Sequence, residues 1–143
     1  MAVLGGTGLL AIAGISCASR MSPELGLVDG KLRPPPSTPN CVCSEFKDSK
    51  AFIAPFTFEG TPEEAWQQLK AAVLEEGGVI VEESRNYRWF TFTSRIFRFV
   101  DDVEFRLDSE RRTIHVRSAS RIGHSDLGVN RKRIESIRSR FLK

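Results

Sequence analysis

The sequence is poor in the residues on which several kinds of protein depend. Its 143 residues include three cysteines and two histidines. An odd and low number of cysteines does not make the disulfide framework of a small secreted scaffold. The chain also has no internal repeat, no phosphate-binding glycine loop and no dinucleotide fingerprint. These absences exclude disulfide scaffolds, repeat proteins and the common nucleotide-dependent enzymes.

Long apolar runs are scarce as well. Residues 1–16 (MAVLGGTGLLAIAGIS) carry no charged side chain, but a membrane-spanning helix needs about 20 apolar residues. The run therefore fits the core of a signal peptide better. Small residues then lead to Cys17 in GISCAS, which is similar to the lipobox of bacterial lipoproteins. We expect residues 1–17 to be a signal peptide with a lipid attached at Cys17.

Two other forms of this N-terminal segment stay open. The run is not preceded by Lys or Arg, and Gly14 stands where a lipobox usually has Leu. An uncleaved anchor or a plain signal peptide would fit these two features. A lipid at Cys17 or an uncleaved anchor would tether the protein to a membrane, whereas a plain signal peptide would not.

The remaining composition is typical of a globular protein, with 41% hydrophobic and 27% charged residues. The net charge of +3 is unevenly distributed. Residues 59–83 hold seven acids against Lys70, and residues 111–143 hold ten Lys or Arg against two acids. This pattern indicates either that an acidic helix and a basic helix are simply exposed to solvent, or that the separated charges steer a binding partner electrostatically.

The chain divides into three parts. After residues 1–17, residues 18–44 have no clear period, and RPPPSTPN at 33–40 holds four prolines. Proline removes backbone donors and favours extended structure. We therefore expect an extended Pro-rich tether and a loop over residues 18–44, and a single domain over residues 45–143.

Periodicity and turn signals predict an α+β fold. Residues 51–60 read as an irregular strand, and Thr61, Pro62 and Glu64 form the start of a helix with a capping box. Gly77 ends that helix. Four more strands follow, and the last helix spans about residues 125–143. The order β-α-β-β-β-β-α predicts an antiparallel sheet of about five strands with two helices packed on one face.

The stretch RFVDDVEFRLDSERRTIHVRSASR, residues 98–121, predicts a β-hairpin with its turn at residues 108–111. This register places apolar pairs on one face: Phe105 with Ile114, and Val103 with Val116. It places charge-complementary pairs on the other face: Asp102 with Arg117, and Glu104 with His115. A slip by one residue would mix the two faces.

Asp101 then lies on the apolar face, where a carboxylate is costly unless it is paired or hydrogen-bonded. Its candidate partners are hydroxyl groups, Arg95 or Arg133, and N–H groups at the start of the last helix. A bulge near Val100 would place the neighbouring aspartate inside instead. The predicted polar cluster contains Asp101, Ser118, Ser120, Arg121, Asp126, Asn130 and Arg133. It either ties the sheet to the last helix or forms the polar end of a ligand pocket.

Four stretches resemble one bacterial family over residues 25–142. They are LRPPPSTPNCV, IAPFTFEGTPEEAW, RFVDDVEF and IHVRSASRIGHSDLGVNRKRIE, and the family is domain of unknown function 1499. The resemblance implies a small envelope lipoprotein, in agreement with Cys17, and implies no activity. Members often carry a cysteine where this chain has Pro35, and a serine where it has Cys43. A two-thiol role therefore does not carry over.

Catalytic groups are few. A cysteine nucleophile needs a base, and the possible thiol Cys41 has His124 as its remaining candidate, because His115 is expected to face Glu104. A zinc site of Cys41, Cys43 and His124 lacks the usual spaced ligand pairs. Adjacent His, Ser and Asp at 124–126 do not establish a catalytic triad. We expect no metal and no cofactor.

We therefore expect a non-catalytic binding or structural module of the bacterial cell envelope, lipid-anchored and facing the periplasm or the exterior. The alternative is a hydrolase or thiol-dependent enzyme that uses Cys41 or His124. The expected partners are the membrane, through the N-terminal anchor, and a small molecule, a lipid or an envelope protein. Nucleic acid is not expected, because an exported protein rarely meets it.

Overall fold

Two helices lie on one face of an antiparallel sheet in the computed structural model, which describes residues 21–143. The predicted α+β class and the two-helix layer are confirmed. The predicted signal segment, residues 1–17 with Cys17, lies outside the described residues.

Within residues 21–143 the sheet has six strands in the order β1-β6-β5-β4-β3, and β2 pairs with the other half of β6. The strands are β1 (Cys41–Cys43), β2 (Phe56–Thr57), β3 (Val79–Glu83), β4 (Tyr87–Thr93), β5 (Val100–Asp108) and β6 (Thr113–Ser120). The helices are α1 (Pro62–Glu75) and α2 (Val129–Phe141). The strand beyond the expected five is β1, which follows the proline-rich loop.

Helix α1 begins as its sequence predicts. The Thr61 hydroxyl accepts a hydrogen bond from the Glu64 N–H, and the Glu64 carboxylate accepts from the Thr61 N–H. This capping box satisfies two donors that a helix start leaves free. Gly77 follows the helix with a left-handed φ of 100°. The helix buries one face: Ala65, Trp66, Leu69, Ala72 and Val73.

The core lies between the sheet and both helices. Phe56 on β2 contacts Phe105 on β5 and Phe141 on α2 edge-to-face, with ring centroids 5.9 and 5.5 Å apart. This geometry suits the aromatic quadrupoles. One ring on a two-residue strand therefore joins the sheet to the end of the last helix.

The β5–β6 hairpin keeps the predicted faces but not the predicted register. Asp108 pairs with Thr113 across a four-residue turn, in which Arg112 has a left-handed φ of 49°. The predicted register left only residues 109–110 between the paired ends and the observed one leaves residues 109–112, so every partner moves by two. The predicted pairs of Asp102 with Arg117 and of Glu104 with His115 are wrong. The four apolar residues still face the core, because a shift by two preserves the alternation.

Partners on the outer face are set by the observed register. Glu104 lies opposite Arg117, Asp102 opposite Ala119, and His115 opposite Arg106. The ladder is regular from Val100 onwards. The alternative with a bulge at that position does not occur.

The acidic and basic parts of the sequence contact each other. Arg140 near the end of α2 pairs with Glu75 and, at 2.8 Å, with Glu76 at the end of α1. The Ser136 hydroxyl also donates to Glu76 at 2.7 Å. Part of the charge polarity of the sequence is thus neutralised within the fold.

Residues 21–32 lie over the outer face of the sheet, and we call them the strap. The Gly26 N–H donates to Glu104 at 3.0 Å, and the Leu32 N–H donates to Glu45 at 2.5 Å. The Leu32 side chain is buried. Part of the segment predicted as a tether thus packs against the domain.

Substitution of Gly78 should destabilise the fold. A Cβ at this position would lie 2.7 Å from Val73 Cγ1 and 2.9 Å from Phe92 Cζ. We expect Gly78→Ala to lower the free energy of unfolding in urea by about 1–3 kcal/mol, the usual cost of overpacking. Because Val73→Ala removes one clashing group, the double variant should lose less than the two single losses together. Strict additivity would contradict this account.

Candidate functional site

Asp101 faces the helices and binds one of its predicted partners. Arg133 Nη2 on α2 donates to Asp101 Oδ2 at 2.6 Å. The Arg133 guanidinium also lies 4.7 Å from the centre of the Phe92 ring. The alternative partner, Arg95, is exposed in the loop between β4 and β5. The carboxylate on the apolar face is therefore neutralised by the last helix.

Asn130 joins this ion pair to the rest of the polar groups. Its side-chain oxygen accepts from the Ser118 hydroxyl at 2.5 Å and from Arg133 Nη1 at 2.9 Å. Its Nδ2 donates to three acceptors: Asn40 O at 3.2 Å, Ser120 Oγ at 2.9 Å and Asp126 Oδ2 at 2.8 Å. This fully buried amide connects β6, the residue before β1 and the start of α2.

Asp126 binds the start of α2 from two residues before the N-cap residue, Gly128. Its carboxylate accepts from the Gly128 N–H at 3.0 Å and from the Asn130 N–H at 2.9 Å. Burial disfavours the charged form, but the N–H donors of Asn130 and Gly128 outweigh it and hold the pKa of Asp126 below its ordinary range. The helix itself begins at Val129, later than the sequence indicated, because these residues form the cap.

We call this set the inner cluster: Asn40, Asp101, Ser118, Ser120, Asp126, Asn130 and Arg133. It contains six of the seven residues that the sequence grouped together, and Asn40 joins them because its carbonyl accepts from Asn130 Nδ2 at 3.2 Å. The carboxylates and the amide of the inner cluster are bonded to groups of the protein itself. This pattern favours the structural reading of the cluster over the ligand-facing one.

Arg121, the seventh residue, lies on the opposite face. It binds Asp102 through two bonds, Nε to Oδ2 at 2.8 Å and Nη2 to Oδ1 at 2.9 Å. Trp89 Nε1 donates to the same carboxylate at 2.8 Å. Arg121 Nη1 also donates to the Met21 carbonyl at 3.0 Å. Asp102 is thus paired on the outer face, but with Arg121 rather than with Arg117.

Glu104 is fully buried under the strap. Its Oε1 accepts from the Tyr87 hydroxyl at 2.8 Å and from the Gly26 N–H at 3.0 Å, and Oε2 lies 3.2 Å from Arg117 Nη1. Burial and the adjacent Glu104 charge raise the pKa of Tyr87, so its hydroxyl stays a donor. We call Tyr87, Trp89, Asp102, Glu104, Arg117 and Arg121 the outer cluster.

Among residues 21–143, no hydrogen bond joins Cys41 or Cys43 to either histidine. Burial raises the pKa of Cys41 from 9.0 to about 12, against the opposing effect of Arg117, and it also raises the pKa of Cys43. His115 lies 3.2 Å from Ser44 Oγ, and burial lowers its pKa. His124 is exposed in the loop after β6. The thiols are therefore protonated at neutral pH.

An open cleft of about 440 Å³ lies beside the inner cluster, next to β1 and to residues 51–53, which bond to the outer edge of β1 at Cys43. Asp126 belongs to both, so the cap of α2 forms one wall of the cleft. Two cations, Lys50 and Arg131, lie at its rim. The other lining groups include Pro36, Ser37, Thr38, Pro39, Cys41 and Ser125.

Sequence reasoning missed several of these residues. Tyr87 and Trp89 could have been found, because alternation along β4 puts both on the face of Glu104. Asn40 and Lys50 gave no such signal, because they lie in segments where apolar and polar residues do not alternate regularly. Their positions depend on how β1 pairs with β6.

Two negative findings concern residues 21–143. No three His, Cys, Asp or Glu side chains within this range come together as a metal site would require. No helix in it is both long and apolar enough to cross a bilayer.

The cap gives a pH-dependent prediction. The stability that the Asp126 carboxylate contributes is present above its ordinary pKa of 3.8, and it is lost as the pH falls through the lower pKa of the folded state. Asp126→Asn should therefore cost about 1–2 kcal/mol of unfolding free energy at pH 7, and the difference should shrink progressively as the pH falls below 3.8. Urea unfolding across this range measures it. Glu110→Gln, in the exposed hairpin turn, should follow the parent chain, and a cost for Asp126→Asn that persists at low pH would contradict the assignment.

Comparison with known proteins identifies the family of this chain. Residues 31–141 match the model of the family described as protein of unknown function (DUF1499). No curated protein and no solved structure matches the chain. The matched range includes all residues of both clusters and of the cleft. It does not include residues 21–30 of the strap. It covers most of the sequence, and the chain therefore belongs to the DUF1499 family.

Proposed function

We propose that this protein is a non-catalytic binding module of the bacterial cell envelope, and that the cleft beside β1 receives its ligand. The observation that carries the proposal is the contrast between the cleft and the two clusters. The polar side chains of the clusters hydrogen-bond to other groups of the protein, whereas the adjacent cleft is open to solvent. A rigid polar frame around an open cleft is typical of a preformed binding site.

The lining of the cleft suggests a class of ligand. Pro36, Pro39 and Val42 supply apolar surface, and Lys50 and Arg131 supply positive charge at the rim. Such a combination favours a small molecule with an apolar body and an anionic group. Arg131 is held in place because its Nη2 donates to the Phe52 carbonyl at 2.8 Å.

The alternative, a hydrolase or thiol-dependent enzyme, has less support. A thiol nucleophile reacts as the thiolate, and burial holds Cys41 in the thiol form. His124 is exposed, and no described contact joins it to Cys41. The carboxylates of Asp101, Asp102 and Glu104 each form an ion pair with an arginine.

Tethering is the second part of the proposal. The apolar residues 1–16 and the lipobox-like arrangement at Cys17 support an N-terminal lipid anchor. An anchored protein of this type faces the periplasm or the exterior. Its partners are then the membrane, through the anchor, and the small molecule in the cleft.

The thiol state can be tested directly. A rise in pKa from 9.0 to about 12 lowers the thiolate fraction of Cys41 about a thousandfold. We expect iodoacetamide at pH 8 to alkylate Cys41 roughly a hundredfold or more slowly in the folded chain than in urea, and Cys43 also more slowly. Fragment mass spectrometry separates these sites from Cys17. Alkylation of folded Cys41 at the rate of the unfolded chain would favour the thiol enzyme.

Native mass spectrometry of the full chain extracted from its membrane tests binding and anchoring together. We expect a reproducible bound small molecule in the parent chain and in Lys143→Glu, a control at the exposed C-terminus. Lys50→Glu should remain folded and lose the molecule, because it reverses a charge at the rim of the cleft. The intact mass should include an acyl group at Cys17.

The two parts of the proposal fail separately in this experiment. If the chain is acylated and none of the three forms carries a ligand, the cleft is not a binding site. If a ligand is bound to an unmodified chain that is recovered without membrane, the anchor is excluded.

A further inference from the structure

One end of the sheet exposes an unusual group of large apolar side chains. The loop of residues 94–99 between β4 and β5 carries Ile96 and Phe97, which are 83% and 47% exposed. The segment between β6 and α2 carries Leu127, 87% exposed, and Val129 at the first turn of α2 is 47% exposed. Single exposed apolar residues are ordinary, whereas several on adjoining loops mark an interaction surface.

The two loops leave the sheet at the same end. Thr93 pairs with Val100 at one side of residues 94–99, and Asp101 pairs with Ser120 just before the second loop. Val129 and Phe92 also line one shallow hollow. We call Ile96, Phe97, Leu127 and Val129, together with Arg95 and Arg98, the loop surface.

The loop surface is positively charged as well as apolar. Arg95 and Arg98 flank the two apolar residues of the first loop and are exposed. Neither has a carboxylate partner among residues 21–143. The acids at this end are already bound: Asp101 by Arg133, Asp102 by Arg121, Asp126 by the N–H groups of α2, and Glu76 of the shallow hollow by Arg140. The surface therefore combines uncompensated cations with exposed apolar groups.

The N-terminal segment approaches the same end. Met21 is the first described residue, and its carbonyl accepts from Arg121, which directly follows β6. Residues 1–20, with the apolar run and Cys17, precede it in the chain. A lipid attached at Cys17 would be four residues away from this end of the domain.

Two exposed residues of the loop surface hold an uncommon backbone. Leu127 has a φ of 54° and Arg98 a φ of 58°. Residues with a side chain adopt this left-handed region at a cost. The Leu127 conformation is held by the adjacent cap, in which Asp126 binds the Gly128 and Asn130 N–H groups. The fold thus keeps a leucine turned outwards at the edge of the surface.

We propose that the loop surface lies on an anionic lipid bilayer, with its apolar side chains in the interface and Arg95 and Arg98 at the headgroups. Apolar groups beside Arg are the usual composition of an interfacial contact. A second copy of this chain does not fit the same surface, because it would bring like charges together. The inference rests on the proposed tether, and it adds which end of the domain contacts the membrane.

Depth-dependent quenching on the full-length chain tests this orientation. Phe97→Trp reports on the loop surface, and Leu142→Trp, at a residue 71% exposed near the opposite end of α2, is the matched control. Each variant is reconstituted in phosphatidylcholine vesicles with and without phosphatidylglycerol, and brominated lipids quench the fluorescence. The parent chain supplies the background of Trp66 and Trp89.

We expect Phe97→Trp to be quenched roughly threefold more than Leu142→Trp in anionic vesicles. Adding Arg95→Glu and Arg98→Glu should remove most of the excess, because the headgroups then repel the loop. Flotation of every variant with the vesicles that lack phosphatidylglycerol reports on the tether, because these vesicles do not attract Arg95 and Arg98.

The failures are distinguishable. Flotation with equal quenching at the two positions overturns the orientation and leaves the tether intact. Flotation with Phe97→Trp protected from acrylamide but not quenched by brominated lipid means that a protein covers the surface, which also overturns it. Loss of flotation overturns the tether and the orientation together.

Discussion

Three carboxylates in the short stretch DDVE, residues 101–104, each lie against an arginine, and the rest of the structure depends on these pairs. Asp101 meets Arg133 on the helix side of the sheet, and Asp102 and Glu104 meet Arg121 and Arg117 on the outer side. A buried pair adds little by itself, but loss of one partner leaves an uncompensated charge. The pairs therefore require both faces of the hairpin to be covered, by α2 on one side and by the strap on the other.

The sequence predicted the elements better than their partners. Thr61 and Glu64 locate the start of α1 because a capping box is local, and alternation in β5 and β6 identifies the core face. The register of the hairpin was wrong by two residues, since it depends on the left-handed Arg112 in the turn. Long-range contacts such as the bond from Gly26 to Glu104 leave no periodic signal. The contact of Asp101 with Arg133 followed from a physical rule, because an acid on an apolar face needs a partner.

The division between closed and open polar regions links the fold to its proposed role. Asn130 uses both its oxygen and its nitrogen within the protein, which fixes the start of α2 relative to β6. Satisfied buried networks of this kind give rigidity. The cleft and the loop surface both border this fixed region, so a ligand and a membrane could each meet a preformed surface. The two surfaces share the Asp126 cap as a common wall.

The strap also sets how the domain bears mechanical force. If a membrane anchor precedes Met21, tension on the chain reaches the fold first at the Met21–Arg121 bond and next at the Gly26–Glu104 bond. Both bonds connect to the central strand pair rather than to the sheet edge. Tension would therefore break these two bonds in turn, and loss of the second would uncover the buried Glu104 to water.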